Sequence, residues 1–145
     1  MAIPFAHKPQ DRRARRKIIM SLKAVRLTYW ISTIVFCTMM AFFAILYLTS
    51  ADLAQGFVHL GFPSYFRVEL AIFKLAGVAV LLLPHWPPWL KEWAYAGFFI
   101  TLISAFIAHI SSGDGPFRFM GPVVFGIVLI CSYVTSKQMN SVGLA

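Results

Sequence analysis

The stretch from Leu90 to Asp114, LKEWAYAGFFITLISAFIAHISSGD, constrains the chain more than any other. From Trp93 to Gly113 it carries no Asp, Glu, Lys or Arg. As a helix rising about 1.5 Å per residue this run spans roughly 30 Å, the thickness of a bilayer's hydrocarbon core. It reads as a membrane span. Lys91, Glu92, Trp93 and Tyr95 stand at one end, and His109, Ser111, Ser112 and Asp114 at the other. One end belongs to each face of a membrane.

Composition agrees. Hydrophobic residues make up 59% of the 145 residues and the mean hydropathy is +0.75, beyond the half-apolar make-up of a soluble domain. The net charge of +8 is concentrated in the leader. Lys8, Arg12, Arg13, Arg15, Arg16, Lys17, Lys23 and Arg26 face only Asp11, which places +7 of the charge before the first apolar run. Lys and Arg ahead of a first span hold a segment in the cytoplasm. No folded reading module accompanies them, so nucleic acid is not expected as a partner, and the bilayer is. Cys37 and Cys131 stand singly in apolar runs and imply neither a disulfide framework nor a thiol redox pair.

Three further spans follow. Leu27–Leu48 is charge-free and flanked by Tyr29-Trp30 and Tyr47; it is too long for the core of a cleaved signal. Phe66–Leu83 contains Glu69 and Lys74, yet no other element fits between its short flanking loops. Phe119–Ser136 opens with Gly121-Pro122. Between the first two spans, residues 52–65 read as a connecting loop at the membrane surface, with Ser50 or Asp52 capping a short turn. Pro84, Pro87 and Pro88 stiffen the next turn, with Pro88 placed for the first turn of a helix. Gly97, Thr101, Ser104 and Ala108 form a stripe of small residues, expected to let a neighbouring helix approach closely.

The fold expected is an all-α membrane protein, a four-transmembrane-helix antiparallel bundle with both termini cytoplasmic. Its spans lie at about 27–48, 66–83, 90–111 and 118–136. A basic segment, 1–26, precedes the domain of 27–137, and a short polar tail, 138–145, follows. Lys91 and Lys137 then face the cytoplasm, Asp52 and Asp114 the other side, and Trp30, Trp86, Trp89 and Trp93 share the cytoplasmic boundary.

Lys91-Glu92-Trp93-Ala94-Tyr95-Ala96-Gly97, followed by Ala105, His109 and Gly113-Asp114, resembles the third transmembrane helix of the DoxX-like membrane proteins. The likeness extends back to Tyr29-Trp30-Ile31-Ser32-Thr33, to His59-Leu60-Gly61-Phe62-Pro63-Ser64-Tyr65-Phe66, and to Lys74-Leu75-Ala76-Gly77 running into Leu83-Pro84. The resemblance implies a bacterial inner-membrane protein. Some relatives are implied to be quinone-linked subunits in sulfur oxidation or to act with oxidative-stress enzymes. Distant animal relatives resemble chaperones of receptor assembly. The chain is therefore expected to be a redox-linked subunit that associates with a quinone, or a non-catalytic scaffold or assembly factor for a membrane partner or a second copy. It is not expected to be an enzyme on its own.

The candidate polar core consists of Glu69, Lys74, Glu92, Tyr95, His109, His59 and Asp114. Ionisable groups inside a bilayer are costly and by default turn inward to partners. Glu69 lies about one turn inside its span and His109 near the same end of the next, so the two can meet, with His59, Arg67, Asp114 and Arg118 around them. Lys74 is expected to pair with Glu92, neutralising two charges in one small bundle. For His109 a metal or haem, a quinone, or Asp114 are the alternatives, and a lone histidine at a helix end is most often of the last kind. No metal pattern, nucleophile motif or phosphate loop appears, so no metal site is expected and no residue is singled out as catalytic.

Overall fold

The computed structural model describes residues 9–83 and 85–141, with side chains from Ser21 onward. The expectations for residues 1–8, Pro84 and the final residues 142–145 lie outside that range. Five helices follow one another: α1 (Pro9–Thr49), α2 (Ala51–His59), α3 (Ser64–Leu82), α4 (Pro88–Ser111) and α5 (Pro116–Ser141).

From Pro9 onward the leader and the first apolar run are one helix. No Pro or Gly interrupts residues 10–49, so nothing breaks the backbone ladder, and the 41 residues of α1 extend about 60 Å. The helix stops where Ser50 turns extended and its hydroxyl accepts from Leu53 N–H, capping α2. The expected loop after Ser50 is thus largely a nine-residue helix. Its buried Phe57 packs edge-on to Tyr47, with centroids 4.9 Å apart.

Two glycines end helices in the same way. Gly61 and Gly113 have φ of 80° and 71°, a conformation that a side chain disfavours. After each, the chain folds back so that Phe62 N–H donates to Phe57 O and Asp114 N–H to His109 O. Both are Schellman ends. At the other turn Pro88 begins α4, where its missing N–H costs nothing.

The four long helices close a ring: α1 packs on α3 and α5, and α4 packs on the same two. Between them Phe36, Cys37 and Met40 of α1 meet Val78 and Leu81 of α3, Phe98 and Leu102 of α4, and Leu129 of α5. At Gly77 the packing is tight, since a Cβ there would lie 2.7 Å from the Phe98 ring. That ring is itself held edge-on against Phe36 at 5.0 Å. The Gly97 stripe does not play this part. Gly97 and Ser104 are exposed, a Cβ on Gly97 would meet nothing within 4 Å, and Thr101 bonds back to the Gly97 carbonyl of its own helix. The stripe faces outward because the core side of α4 is taken by Tyr95, Phe98 and Leu102.

The polarity of the fold is inverted relative to a water-soluble bundle. Ile31, Phe42, Phe73, Ile100 and Ile127 are all more than half exposed, while Thr33 and Ser132 are essentially sealed inside. Residues 21–49, α4 and α5 are each long and apolar enough to cross a membrane.

Candidate functional site

Polar side chains cluster at three levels: the end carrying α2, the wall between α1 and α3, and the end nearest the basic leader.

At the α2 end, the Schellman turn swings Asp114 back over the last turn of α4. Its carboxylate, 6% exposed, receives His109 Nδ1 at 2.6 Å, Arg118 Nη1 at 2.8 Å and His59 Nε2 at 3.2 Å. An ionised carboxylate only accepts, so each of these ring nitrogens carries its proton. The hydrogen bond from His109, followed by Arg118 and His59, outweighs partial desolvation and holds the Asp114 carboxyl down at about 2. Asp114 thereby ties together the end of α2, the end of α4 and the start of α5. The His109 ring is thus turned to Asp114. Among the described residues no group of His, Cys, Asp and Glu is arranged to hold a metal.

Glu69 does not join this cluster. It is exposed on α3, and among the described residues no ion pair reaches it. The meeting with His109 fails because the His109 ring turns to its own loop. Arg67 leaves the layer too, donating instead to the main-chain carbonyl of Tyr47. That carbonyl is in the last turn of α1 and has no acceptor role within its helix, so the guanidinium completes it.

Lys74 is 7% exposed. Its Nζ donates to Tyr47 Oη at 3.1 Å and lies 4.3 Å from the centroid of that ring. It does not pair with Glu92. Gly77 of α3 stands level with Phe98 of α4, which in an antiparallel pair leaves Lys74 roughly 12 Å along the axis from Glu92, and Glu92 is held by Tyr133 and Lys137 of α5. Lys74 instead lines a groove of about 340 Å³ between α3 and α4, walled by Phe73, Gly77, Trp93, Gly97 and Thr101.

At the leader end, Glu92 accepts from Tyr133 Oη at 3.0 Å and meets Lys137 Nζ at 2.5 Å. Tyr133 and Lys137 are four apart on α5 and so project from one face. One turn deeper, Tyr95 Oη shares a hydrogen bond of 2.8 Å with Ser132 Oγ, which shares another of 2.6 Å with Thr33 Oγ1. This buried hydroxyl chain joins α4, α5 and α1. Tyr95 was legible as a candidate; Ser132 and its contact with Thr33 were not. Their only signal is a small hydroxyl in an apolar run. A second groove of about 340 Å³ lies on the outside of this layer, between α4 and α5, with Tyr95, Ala96, Phe99, Leu129, Ile130 and Tyr133 in its walls and Glu92 at its mouth. Neither groove is enclosed.

The description of the DoxX-like family matches residues 31–132. The chain belongs to the DoxX-like family. With three helices long and apolar enough to cross a bilayer, this DoxX-like chain is an integral membrane protein. The matched region takes in Thr33, Lys74, Tyr95, Asp114 and Ser132 and stops before Tyr133 and Lys137. Among curated proteins and solved structures no match to the chain is found.

Proposed function

We propose that this DoxX-like protein crosses the bacterial cytoplasmic membrane four times, termini inside, and binds a quinone-class molecule between α3 and α4 as a subunit of a redox-linked membrane system. The domain is residues 27–137, between the basic segment of 1–26 and the tail of 138–145. Counting α3 as a span is supported by its place in the ring, and two of its charges are engaged within the protein: Arg67 on a helix-end carbonyl and Lys74 on Tyr47. The orientation is supported by the leader, Lys91 and Lys137 at one end, against Asp52 and Asp114 at the other.

The observation that carries the binding role is the buried Lys74 among the residues lining a mostly apolar groove. Among the described residues its one hydrogen bond is to Tyr47 Oη, which leaves donors for a ligand. A quinone carbonyl is an uncharged acceptor on an apolar body. It satisfies the amine without bringing a second charge into the membrane.

Two measurements test this. Organic extraction of the gently purified protein, followed by mass spectrometry, should yield a quinone. Titration with a short-chain quinone should quench Trp93, in the groove wall, with saturation, and Lys74→Met should weaken that binding about tenfold or more. No co-purifying quinone, together with linear quenching that is the same in Lys74→Met, overturns the proposal.

A second reading, a scaffold or assembly factor for a membrane partner, is favoured by the solid core. Thr33, Ser132 and Tyr95 satisfy one another, and the bundle needs no ligand to complete it. A partner that still assembles with Lys74→Met would support that reading.

A further inference from the structure

The α4/α5 groove has a different chemistry from the Lys74 groove and lies on the other face of α4. Its body is apolar, with Ala96, Phe99, Leu129 and Ile130 facing in. From Glu92 to Phe99 it runs about 10 Å along the helix axis, the direction in which a lipid chain lies. At its mouth is Glu92, 38% exposed, joined at 2.5 Å to Lys137, 51% exposed and one turn beyond Tyr133 on α5. Trp89 and Trp93, both well exposed, are in the same first turns of α4, the residues that favour the headgroup level.

We propose that this groove is a binding site for a phospholipid with a primary ammonium, a phosphatidylethanolamine from the adjoining leaflet. One acyl chain lies along Phe99 and Ile130, the ammonium on Glu92 and the phosphate on Lys137. The proposal needs only α4 and α5 to cross the membrane and does not depend on the quinone reading.

The ion pair has the capacity for this. A carboxylate offers about four acceptor positions, and Glu92 uses two, for Lys137 and Tyr133 Oη. Lys137 has three N–H donors and spends one on Glu92. Each charge therefore keeps its present partner while taking a second of opposite sign, and the alternating quartet is neutral overall. A purely anionic headgroup would suit Lys137 but meet the Glu92 carboxylate. A choline headgroup would supply the cation but no N–H to donate. Both are weaker fits than an ethanolamine.

Native mass spectrometry of the full chain, stripped of lipid in detergent and titrated with phosphatidylethanolamine, phosphatidylcholine and phosphatidylglycerol of identical acyl chains, reads this preference. Phosphatidylethanolamine should bind about tenfold more tightly than either of the others, the worth of one charge-assisted hydrogen bond. Glu92→Gln should bring the three lipids to within about twofold. Ile130→Trp, which fills the groove from a lipid-facing position 49% exposed, should lower the occupancy of all three while the thermal melt is unchanged. Equal affinities for the three lipids in the natural chain overturn the proposal. So does an undiminished ethanolamine preference in Glu92→Gln, or lipid retention that ignores Ile130→Trp. If Glu92→Gln fails to fold, the natural chain and Ile130→Trp still decide.

Discussion

Asp114 and Glu92 each organise one end of the molecule, and they do so in opposite ways. Asp114 is almost covered, and two of its three partners are close in sequence: His109 just before the turn and Arg118 in the next helix's first turn. Glu92 is over a third exposed and is held by two residues more than forty positions away, on α5. The first is a closed knot made by a turn. The second is an open pair made by packing, and it has hydrogen-bonding capacity to spare. A carboxylate whose partners crowd around it fixes structure, whereas one that keeps acceptor positions at a surface is available to a ligand.

The layer between the two ends sets the scale for breaking this contrast. Ser132→Val should cost the most, about 2 to 3 kcal/mol, because it strands the buried hydroxyls of Thr33 and Tyr95 without their shared partner. Denaturation in mixed detergent micelles measures it. Ser132→Thr keeps a hydroxyl and should recover part of the loss.

Next comes Asp114→Ala, which removes the acceptor common to three helices. Amide exchange in Ala51–His59 should accelerate while exchange in the α4 core around Phe98 is unchanged. Acid should do the same more gently. With the carboxyl held near 2 against an ordinary 3.8, its contribution is fully present above about pH 4. It is lost as the pH falls from there through 2, since the unfolded chain takes up the proton first. Protection of α2 that does not change across that window would mean the knot holds nothing.

The smallest effect is expected at Glu92. Exposed ion pairs contribute little, so Glu92→Gln should change stability by less than about 1 kcal/mol, a difference that the same micelle denaturation resolves. A cost equal to that of Ser132→Val would erase the contrast between the ends.

The apolar runs made the long helices legible, and the prolines and glycines marked their turns. Rotation about each helix axis was harder to read. Glu69 and Lys74 are five residues apart on α3, and one is exposed while the other is buried. Hydropathy alone treats them alike. The same blindness misplaced the Gly97 stripe: its spacing is that of a packing seam, but the aromatic side of α4 took the core, and the close approach fell to Gly77. The helix α2 was hidden by its brevity and by Gly56 in its middle. The Asp114 knot was legible in part because two of its members, His109 and Arg118, lie within five residues of it along the chain. The Glu92 pair was not, since no local pattern announces Tyr133 and Lys137 as its partners.

The unbroken α1 has a mechanical consequence. Without proline or glycine beyond its first residue, Pro9, it has no joint at which twist could dissipate, so the rod behaves as an axle through the bilayer. A protein or lipid surface that grips its basic end and turns it would deliver that torque to Tyr47 at the far end. There the same residue holds Lys74 by its hydroxyl and Arg67 by its carbonyl.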